Sequence, residues 1–330
     1  MKKTVLYSVC LLLLSACTGT SKQPQWIDQP SALYSDQQYL HAVGEADNRD
    51  ISADRARGNL AKIFSVAVTD SSLDFSQAHS VTEGKHTATR NEQNASRFVS
   101  SEASQVLEGS EIVEHWNNQQ GRVFSLAVLN KSSAAARFRT EIKRADQQTR
   151  NLVDYANKQA NTAVASLRAL EQARKLQHQR NNNNRNLSIV DHKVYASDYP
   201  IATLEKMLRD RLAMLPFSVV SPEGLLDKEL INAINSLGIQ QVNDSDYVLQ
   251  GSLDHDGIEQ KQGWYWQRGS LVLSLSWRGE IIAKQRWPYK VSATDKNMVT
   301  QRSRDWVNQS LSEKLYDLLT QQATASKTLH

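Results

Sequence analysis

The sequence predicts an α+β fold in which two small α/β sandwich domains are joined by a helical hairpin. Within residues 26–131 and again within 187–322, segments of alternating apolar residues, typical of half-buried strands, stand beside segments with helical periodicity. Between them, residues 132–180 contain no glycine or proline and repeat their apolar residues at helical spacing. The asparagine run 181–184 then predicts a hinge over 181–186 and a domain boundary there.

The first residues have the composition of a secretory signal peptide. Lys2 and Lys3 give a short basic start, and the segment that follows is almost wholly apolar. An apolar run of roughly ten residues is about half of what a bilayer-spanning helix needs, so we do not expect it to stay in the membrane. Small residues close the segment, and we predict that residues 1–16 are removed by cleavage between Ala16 and Cys17.

Cys17 stands directly after the Leu-Ser-Ala run at 14–16, and this arrangement resembles the lipobox of bacterial lipoproteins. The resemblance implies that the thiol takes a diacylglyceryl group and that the new amino group is acylated, with palmitate as an expected chain. Two or more acyl chains anchor a protein stably, whereas one does not. Thr18 and not aspartate follows the cysteine, and this resembles lipoproteins that are sorted to the outer membrane. We therefore expect residues 17–25 to be a lipidated tether at the periplasmic face of a Gram-negative outer membrane. The alternative is a secreted protein with a chance cysteine.

Charge and cysteine content exclude two classes of site. The formal net charge of +4 falls to about +2 once Lys2 and Lys3 are removed, and this gives no electrostatic case for nucleic acid. Of the two cysteines, Cys10 leaves with the signal peptide and Cys17 is the lipidation candidate. The mature chain therefore has no thiol for a disulfide or a cysteine metal site.

The first mixed segment predicts a small α+β domain over 26–131. The predicted order is a strand at 39–44, a helix from Ser52, a strand from Phe64 through Val66 and Val68, a loop at 82–94, a helix at 95–107, and a hairpin of 112–116 with 123–129. Gly58 lies inside the first helix, where glycine costs about 1 kcal/mol relative to alanine. We interpret it as a close approach of this helix to the sheet.

Short motifs of this segment are Trp26-Ile27, Pro30, the run YLHAVGEA at 39–46, Ala53, Ala56, Leu60-Ala61 and the run VFSLAVL at 123–129. They resemble the twenty-kilodalton lipoprotein family, small outer-membrane lipoproteins of Gram-negative bacteria that include one that helps build a flagellar basal-body ring. The resemblance covers about a third of the chain. It implies a fold and brings no catalytic residues.

Residues 132–180 predict two antiparallel helices. One a/d seam consists of Phe138, Ile142, Ala145, Thr149, Leu152 and Ala156, and a second stripe of Ala163, Leu167, Leu170, Ala173 and Leu176. Such a hairpin is either a surface for self-association or a hairpin packed on its own domain.

The second mixed segment, 187–322, predicts βαβ-like units, a three-stranded meander and a closing helix. The predicted elements are a helix at 204–215, a strand at 217–220, a helix at 225–237, a strand at 239–242, strands at 246–258, 264–277 and 280–290, a helix at 299–319, and a disordered tail at 323–330. The run DYVLQGSL at 246–253 with the meander resembles a domain of the curli secretion lipoprotein, of a peptidoglycan-synthase activator lipoprotein and of the N-terminal part of the Tol propeller protein.

The sequence contains no recognisable catalytic motif. The eight histidines lack metal-ligand spacing, and there is no nucleophile elbow, phosphate loop or dinucleotide fingerprint. Asp254-His255-Asp256 is the densest polar cluster; it is a polar segment near a turn or, if a bulge lets alternate side chains converge, a weak cation site. We predict a non-enzyme with no catalytic residue, metal, cofactor or small-molecule substrate.

The most informative local feature is the run Trp264-Tyr265-Trp266 near a hairpin turn. Counting in steps of two, Trp264, Trp266 and Arg268 share the strand face that is otherwise polar. Exposed aromatics beside arginine are typical of hot spots for protein partners, and flat indoles also stack on sugars. We therefore predict a binding patch of these three residues. The alternative is that a helix covers this face or that a bulge turns both tryptophans inward.

The sequence as a whole predicts a non-enzymatic, outer-membrane-anchored periplasmic lipoprotein that tethers and recognises a protein partner in the envelope. Membrane attachment through Cys17 fixes its position, and the second mixed segment reaches the partner. Two alternatives remain open: a structural ring component of a flagellar or secretion apparatus that self-associates through 132–180, and a module that binds peptidoglycan or another glycan.

Overall fold

The computed structural model describes residues 22–79 and 108–321. These residues contain six α-helices and two sheets, which confirms the α+β class. The chain divides into two compact units, Met1–Thr140 with Asn183–Val194 and Glu141–Asn182 with Tyr195–His330. The predictions for 1–16, Cys17, the loop at 82–94, the helix at 95–107 and the tail at 323–330 lie outside the described residues.

The first unit is a three-stranded antiparallel sheet with one long helix packed on it. The strands β1 (Tyr39–Ala46), β2 (Ser110–Asn117) and β3 (Val123–Asn130) are arranged in the order β1-β3-β2. The turn between β2 and β3 closes through Asn118, whose Oδ1 accepts from the backbone N–H groups of Gln120 and Arg122. The predicted strand at 39–44 and the predicted hairpin are therefore confirmed.

Helix α1 (Arg49–His79) continues through the stretch where the alternation from Phe64 predicted a strand, so that prediction is wrong. Leu60 and Phe64 are four residues apart and are both buried, which places them on one helical face. The ring of Phe64 lies 6.5 Å from that of Phe138. Extending an existing helix costs less than starting a new strand, and the sequence after Gly58 has neither glycine nor proline to stop it.

Gly44 of β1, rather than Gly58 of α1, marks the close approach of helix and sheet. A Cβ atom at Gly44 would lie 2.2 Å from the backbone nitrogen of Ala56 and 2.3 Å from the carbonyl oxygen of Ser52. A Cβ atom at Gly58 would meet nothing within 4 Å. The interpretation of Gly58 made from the sequence is therefore wrong.

Gly44→Ala should destabilise the first unit by about 1–3 kcal/mol or more, because the new methyl group overlaps backbone atoms that cannot move alone. Gly58→Ala is the matched control. It should stabilise the protein by about 0.5–1 kcal/mol, because alanine is the better helix former and the space is open. Urea unfolding followed by circular dichroism measures both; equal effects of the two substitutions would contradict the assignment.

The predicted helical hairpin consists of α2 (Lys131–Lys158) and α3 (Ala163–Asp191), and both helices contribute to both units. Asn181–Asn184 lies inside α3, so this segment is helical and not an irregular break in the chain. The division between the two units falls after Asn182, and the hinge at 181–186 stays a prediction. Asparagine lowers helix stability by less than about 0.7 kcal/mol per residue. The buried side chains of Arg180 and Leu187 on either side of the asparagines outweigh that small cost.

The seam of this hairpin is buried within the single chain. Phe138, Ile142, Ala145, Thr149 and Ala156 are each at most 7% exposed. Their burial removes them as a surface for self-association and favours the alternative of a hairpin packed within its own chain.

Two buried polar side chains of α3, Gln177 and Arg180, are hydrogen-bonded to residues of α2. Gln177 donates to the hydroxyl of Thr149 at 2.9 Å. The buried Arg180 guanidinium donates to Asp146 at 3.1 Å and to the carbonyl of Ala196 at 2.7 Å. Buried polar groups that keep their partners fix how two helices pack, because a shift would leave them unpaired.

The second unit has a six-stranded mixed sheet and three further helices. They are β4 (Pro216–Val220), β5 (Gln240–Gln241), β6 (Tyr247–His255), β7 (Glu259–Lys261), β8 (Trp264–Trp277), β9 (Glu280–Ala293), α4 (Ile201–Ala213), α5 (Asp227–Ser236) and α6 (Lys296–Thr320). The strand order is β5-β4-β6-β8-β7, and β9 pairs with the other edge of β8. The predicted long strands, the two short strands and the closing helix are confirmed.

The hydrophobic core of this unit lies on one face of the sheet. Leu249 of β6 and Leu271, Leu273 and Leu275 of β8 are fully buried in one cluster with leucines of α4, α5 and α6. Residues at the alternate positions of the same strands are mainly polar, small or charged, apart from two valines and the two tryptophans at the start of β8, and most are exposed or half-buried. The helices therefore cover one face and leave the other open.

A buried ion pair within α3 is hydrogen-bonded to α6 in the second unit. The Glu171 carboxylate accepts two hydrogen bonds from Arg174, at 2.8 and 2.9 Å, and one from the hydroxyl of Tyr316 at 2.9 Å. Burial alone would raise the pKa of Glu171, but the hydrogen bonds and charge of Arg174, with those of Tyr316 and Lys175, outweigh it and lower the pKa. Burial and the Glu171 charge raise the pKa of Tyr316.

Glu171→Gln should lower the free energy of unfolding by about 3 kcal/mol, because it leaves Arg174 partly buried without its carboxylate. The folded-state pKa is lowered, so this contribution is present above the unfolded pKa, about 4.3, and is lost as the pH falls below it. Lys175→Gln is the control and should cost less than about 0.5 kcal/mol, since Lys175 is 61% exposed and 3.8 Å from the carboxylate. Similar losses at pH 3 and pH 7 would contradict this account.

Candidate functional site

Strand β8 begins at a tight hairpin turn that sets the direction of its first side chains. The two turn residues, Gln262 and Gly263, have φ values of 51° and 77°, as a type I′ turn requires. From Tyr265 to Leu275 the pairing of β8 with β9 continues without a shift, and the one irregularity follows between Leu275 and Ser276. Side chains of β8 therefore alternate regularly through the predicted patch.

Trp264, Trp266 and Arg268 lie on the open face of the sheet. The intervening Gln267 is buried on the opposite face, where its side-chain oxygen accepts a hydrogen bond at 2.7 Å from Ser303 of α6. Because α6 packs on the Gln267 side, it does not cover the two tryptophans.

The three patch residues differ in accessibility. Trp264 is 44% exposed, Arg268 is exposed and Trp266 is half-buried. The ammonium group of Lys290 lies 4.2 Å from the centroid of the Trp266 ring, a cation–π contact. One flat surface of the Trp266 indole is therefore already occupied, whereas the Trp264 indole projects into solvent.

A cavity of about 440 Å³ opens beside the patch on this face. Arg268, Lys290 and Arg286 supply its cations, and Asp254 and Asp256 its acids. Arg286 donates to Asp254 at 2.8 Å. Arg268 and Lys290 are directly opposite each other in the β8–β9 ladder, and within 22–79 and 108–321 neither forms an ion pair.

Analysis of the sequence missed Lys290 and Arg286, which belong to β9. The available signal was the dipeptide Arg278-Gly279, whose φ values of 51° and 83° form the second two-residue turn. Counting outward from that turn, and allowing for the bulge next to Ser276, aligns Lys290 with Arg268. The bulge cannot be located from the alternation alone.

The Asp254-His255-Asp256 cluster does not converge on a point. Asp254 is paired with Arg286, and the backbone N–H of Asp256 donates to the carbonyl of Arg268 at 2.9 Å. Among the residues that the structure describes, no group of three or more His, Cys, Asp or Glu side chains is arranged to hold a metal ion.

A serine–histidine chain in the first unit has the residue types of a nucleophile and base. The Ser125 hydroxyl is hydrogen-bonded to Ser52 and, at 2.8 Å, to Nδ1 of His115. Both serines are fully buried, so no substrate can reach either hydroxyl. Burial, followed by the charge of Arg49, lowers the pKa of His115, so the imidazole stays neutral and links β2 and β3 to the start of α1.

The lipidation candidate Cys17 and the cleavage residue Ala16 lie outside the described residues. Within the described ranges, no helix combines the length and the apolar character that crossing a bilayer requires.

Comparison with known proteins finds one family match, in the region of the first sheet. Residues 24–130 match the family model described as LPP20 lipoprotein. The resemblance predicted over about 26–131 is therefore confirmed. The matched residues 24–130, called the LPP20 region below, make up about a third of the chain, and the match names no reaction. The second resemblance, over 187–322, stays a prediction. No curated protein matches the sequence.

Three solved structures are similar to parts of this chain. A minor lipoprotein of Acinetobacter baumannii is 19% identical to this chain. The match spans 32% of this chain and 90% of that lipoprotein, with a TM-score of 0.27. The rare lipoprotein B of Shewanella oneidensis is 11% identical, with coverage of 32% and 90% and a TM-score of 0.22. A secreted protein of Helicobacter pylori is 13% identical, with coverage of 83% and 97% and a TM-score of 0.43. Likeness at these TM-scores carries no argument about function.

Substitution of the two tryptophans should have unequal effects on stability. Trp264→Ala should shift the melting temperature by less than about 2 °C, because much of its side chain is already in water. Trp266→Ala should cost about 1–2 kcal/mol, roughly 3–6 °C, because it removes half-buried area and the contact with Lys290. Leu271→Ala, in the core, serves as a reference at about 2–5 kcal/mol. A loss at Trp264 equal to that at Leu271 would show that Trp264 belongs to the core.

Proposed function

We propose that the chain is a non-enzymatic lipoprotein, held at the periplasmic face of the outer membrane by lipid on Cys17. Its second unit binds a protein partner of the cell envelope through the face that carries Trp264, Trp266 and Arg268. The LPP20 region supports membrane anchoring, and the sequence around Cys17 supplies the attachment point. The tether at 17–25 could reach about 30 Å if fully extended.

The observation that carries this proposal is the exposed indole of Trp264 beside an exposed Arg268 on a sheet face without helices. Residues of these two types dominate the binding energy of protein interfaces, because they offer large contact areas and directed hydrogen bonds. The Trp264 side chain contributes little to the fold, since it lies at the first position of β8 next to the turn. Its exposure is better explained by recognition than by stability.

Two alternatives receive less support from the contacts. Glycan recognition needs free indole surfaces, and Lys290 covers one surface of Trp266. A ring component that assembles through 132–180 needs an accessible apolar seam, and the seam residues from Phe138 to Ala156 are largely buried. The Ser125–His115 chain does not support catalysis, because the Ser125 hydroxyl is enclosed.

A pull-down from crosslinked envelopes tests the proposal with tagged wild type, Trp264→Ala and Cys17→Ala. Wild type should recover one dominant envelope protein, and Trp264→Ala should recover it at least about tenfold less, equivalent to about 1.4 kcal/mol at a hot spot. Cys17→Ala should lose the outer-membrane fraction.

Met298→Ala is the matched control in this pull-down. Met298 is another exposed apolar side chain, 51% accessible, at the start of α6 on the helical side of the sheet. The Met298→Ala variant should recover the same amount of the partner as wild type. Recovery of mainly the protein itself, unchanged by Trp264→Ala, would overturn the proposal in favour of self-assembly.

A further inference from the structure

The open face of the second sheet carries an excess of cations that have no acidic partner. Lys284, Arg286 and Lys290 lie at alternate positions of β9, and Arg268 lies on β8 opposite Lys290. On this face Asp254 pairs with Arg286, and Glu259 of β7 lies opposite Trp266. In the part of the chain that the structure describes, the side chains of Arg268, Lys284 and Lys290 make no ion pair.

The juxtaposition of Arg268 and Lys290 is unfavourable in the isolated protein. Like charges on directly opposite residues of an antiparallel pair are destabilising. The Lys290 ammonium has the Trp266 ring as a neighbour, 4.2 Å away, but a ring does not neutralise its charge. Most proteins place an opposite charge or a neutral residue at such a position, as this sheet does with Ser270 opposite Pro288 and Ser274 opposite Lys284. An anion between Arg268 and Lys290 would convert repulsion into two attractive contacts.

The spacing of the cations suits an extended peptide. Side chains at alternate positions of a strand are about 7 Å apart on one face. Lys284 and Arg286 follow this repeat along β9, and after the gap at Pro288 it resumes at Lys290. An extended acidic segment presents its carboxylates at the same repeat, whereas a single small anion would meet one or two of these cations.

We infer that Arg268 and Lys290 form a binding site for the side-chain carboxylates of an extended acidic segment of the protein partner. This inference rests on the proposed function and adds the chemistry of the partner. The carboxylate occupies the cavity that Arg268 and Lys290 line, where Asp254 is already paired with Arg286. Arg268 donates paired N–H groups to it, and Lys290 a single charged one. Trp264 then packs against apolar parts of the same segment.

The test uses the full chain in detergent and a fluorescently labelled hexaglutamate, with hexaglutamine as the neutral probe. Anisotropy at low ionic strength should show binding of hexaglutamate alone, weakened as salt is added. Arg268→Glu should reduce the affinity at least about tenfold, and Arg268→Gln by less. Lys228→Glu, which makes the same charge change on α5 of the helical layer, should leave the affinity within about twofold.

Melting temperatures separate loss of the site from loss of the fold. Arg268→Glu places opposite charges across the β8–β9 ladder, so its melting temperature should lie at most about 2 °C below that of wild type. Equal binding of hexaglutamate to wild type and Arg268→Glu, or no binding to wild type, would overturn the inference. A preference of wild type for phosphatidylglycerol over phosphatidylcholine vesicles, lost in Arg268→Glu and without hexaglutamate binding, would reassign the face to an anionic membrane surface.

The two proposals fail separately. If the pull-down recovers a partner that depends on Trp264 while hexaglutamate does not bind, the partner is recognised by other chemistry and the proposed function stands. If neither result is obtained, the open face is not a binding surface and both proposals fall.

Discussion

The alternation of side chains along β8 is the constraint on which the second unit depends. One set of alternate residues, including Leu271 and Leu275, builds the core, and the other set forms the open face. A slip of one residue would exchange the two sets, burying Arg268 and exposing the leucines. The two-residue turns at the ends of β8, each with positive φ at both positions, fix its pairing with β7 and β9 and make such a slip costly.

Gly269 adds a second restraint at the centre of β8. A Cβ atom there would lie 2.6 Å from the carbonyl oxygen of Asp254 and 2.6 Å from the ring of Tyr289. The Tyr289 ring stacks on Trp306 of α6, with centroids 5.0 Å apart. Only a residue without a side chain lets Tyr289 cross β8 at this point. Gly269 therefore couples the position of the patch residues on β8 to the position of the helices.

Sequence reasoning succeeded where local pattern and local packing agree. The alternation of apolar residues in β8 and β9 and the apolar stripe of α6 each depend on which residues of one element are buried. The bounds of these elements were predicted to within a few residues. It failed where distant contacts decide. The helix through Asn181–Asn184 is supported by burial of Arg180 and Leu187. Phe64, where a strand was expected to begin, is buried beside Leu60 on one face of α1.

The same limit applies to the candidate site. Trp264, Trp266 and Arg268 could be assigned to one face from β8 alone, because the alternation is regular there. The Lys290 contact with Trp266 could not, because it depends on the register between two strands and on a bulge beside Ser276. Cross-strand neighbours decide whether an indole is free and whether a cation is paired. A single sequence does not predict which residues are cross-strand neighbours.

The cations of β9 have a second possible role, since charged residues and proline on an edge strand prevent pairing with other chains. Strand β9 is such an edge, and Pro288 at its centre removes one backbone donor. Edge protection accounts for Lys284 and Lys290. It does not account for Arg268, because β8 is paired on both sides and has no edge to protect. A cation in the interior of the sheet, opposite another cation, is the observation that distinguishes recognition from edge protection.

Membrane attachment changes how strong such a face needs to be. Exposed charges contribute more to the rate and selectivity of association than to affinity, and one exposed tryptophan adds a limited contact area. Binding through this face alone would therefore be modest in free solution. A lipid on Cys17 would confine the protein to the same surface as a membrane-associated partner and raise its effective concentration, as a linker does between two modules. The anchor and the open face are then complementary parts of one mechanism, in which the first supplies proximity and the second supplies the choice of partner.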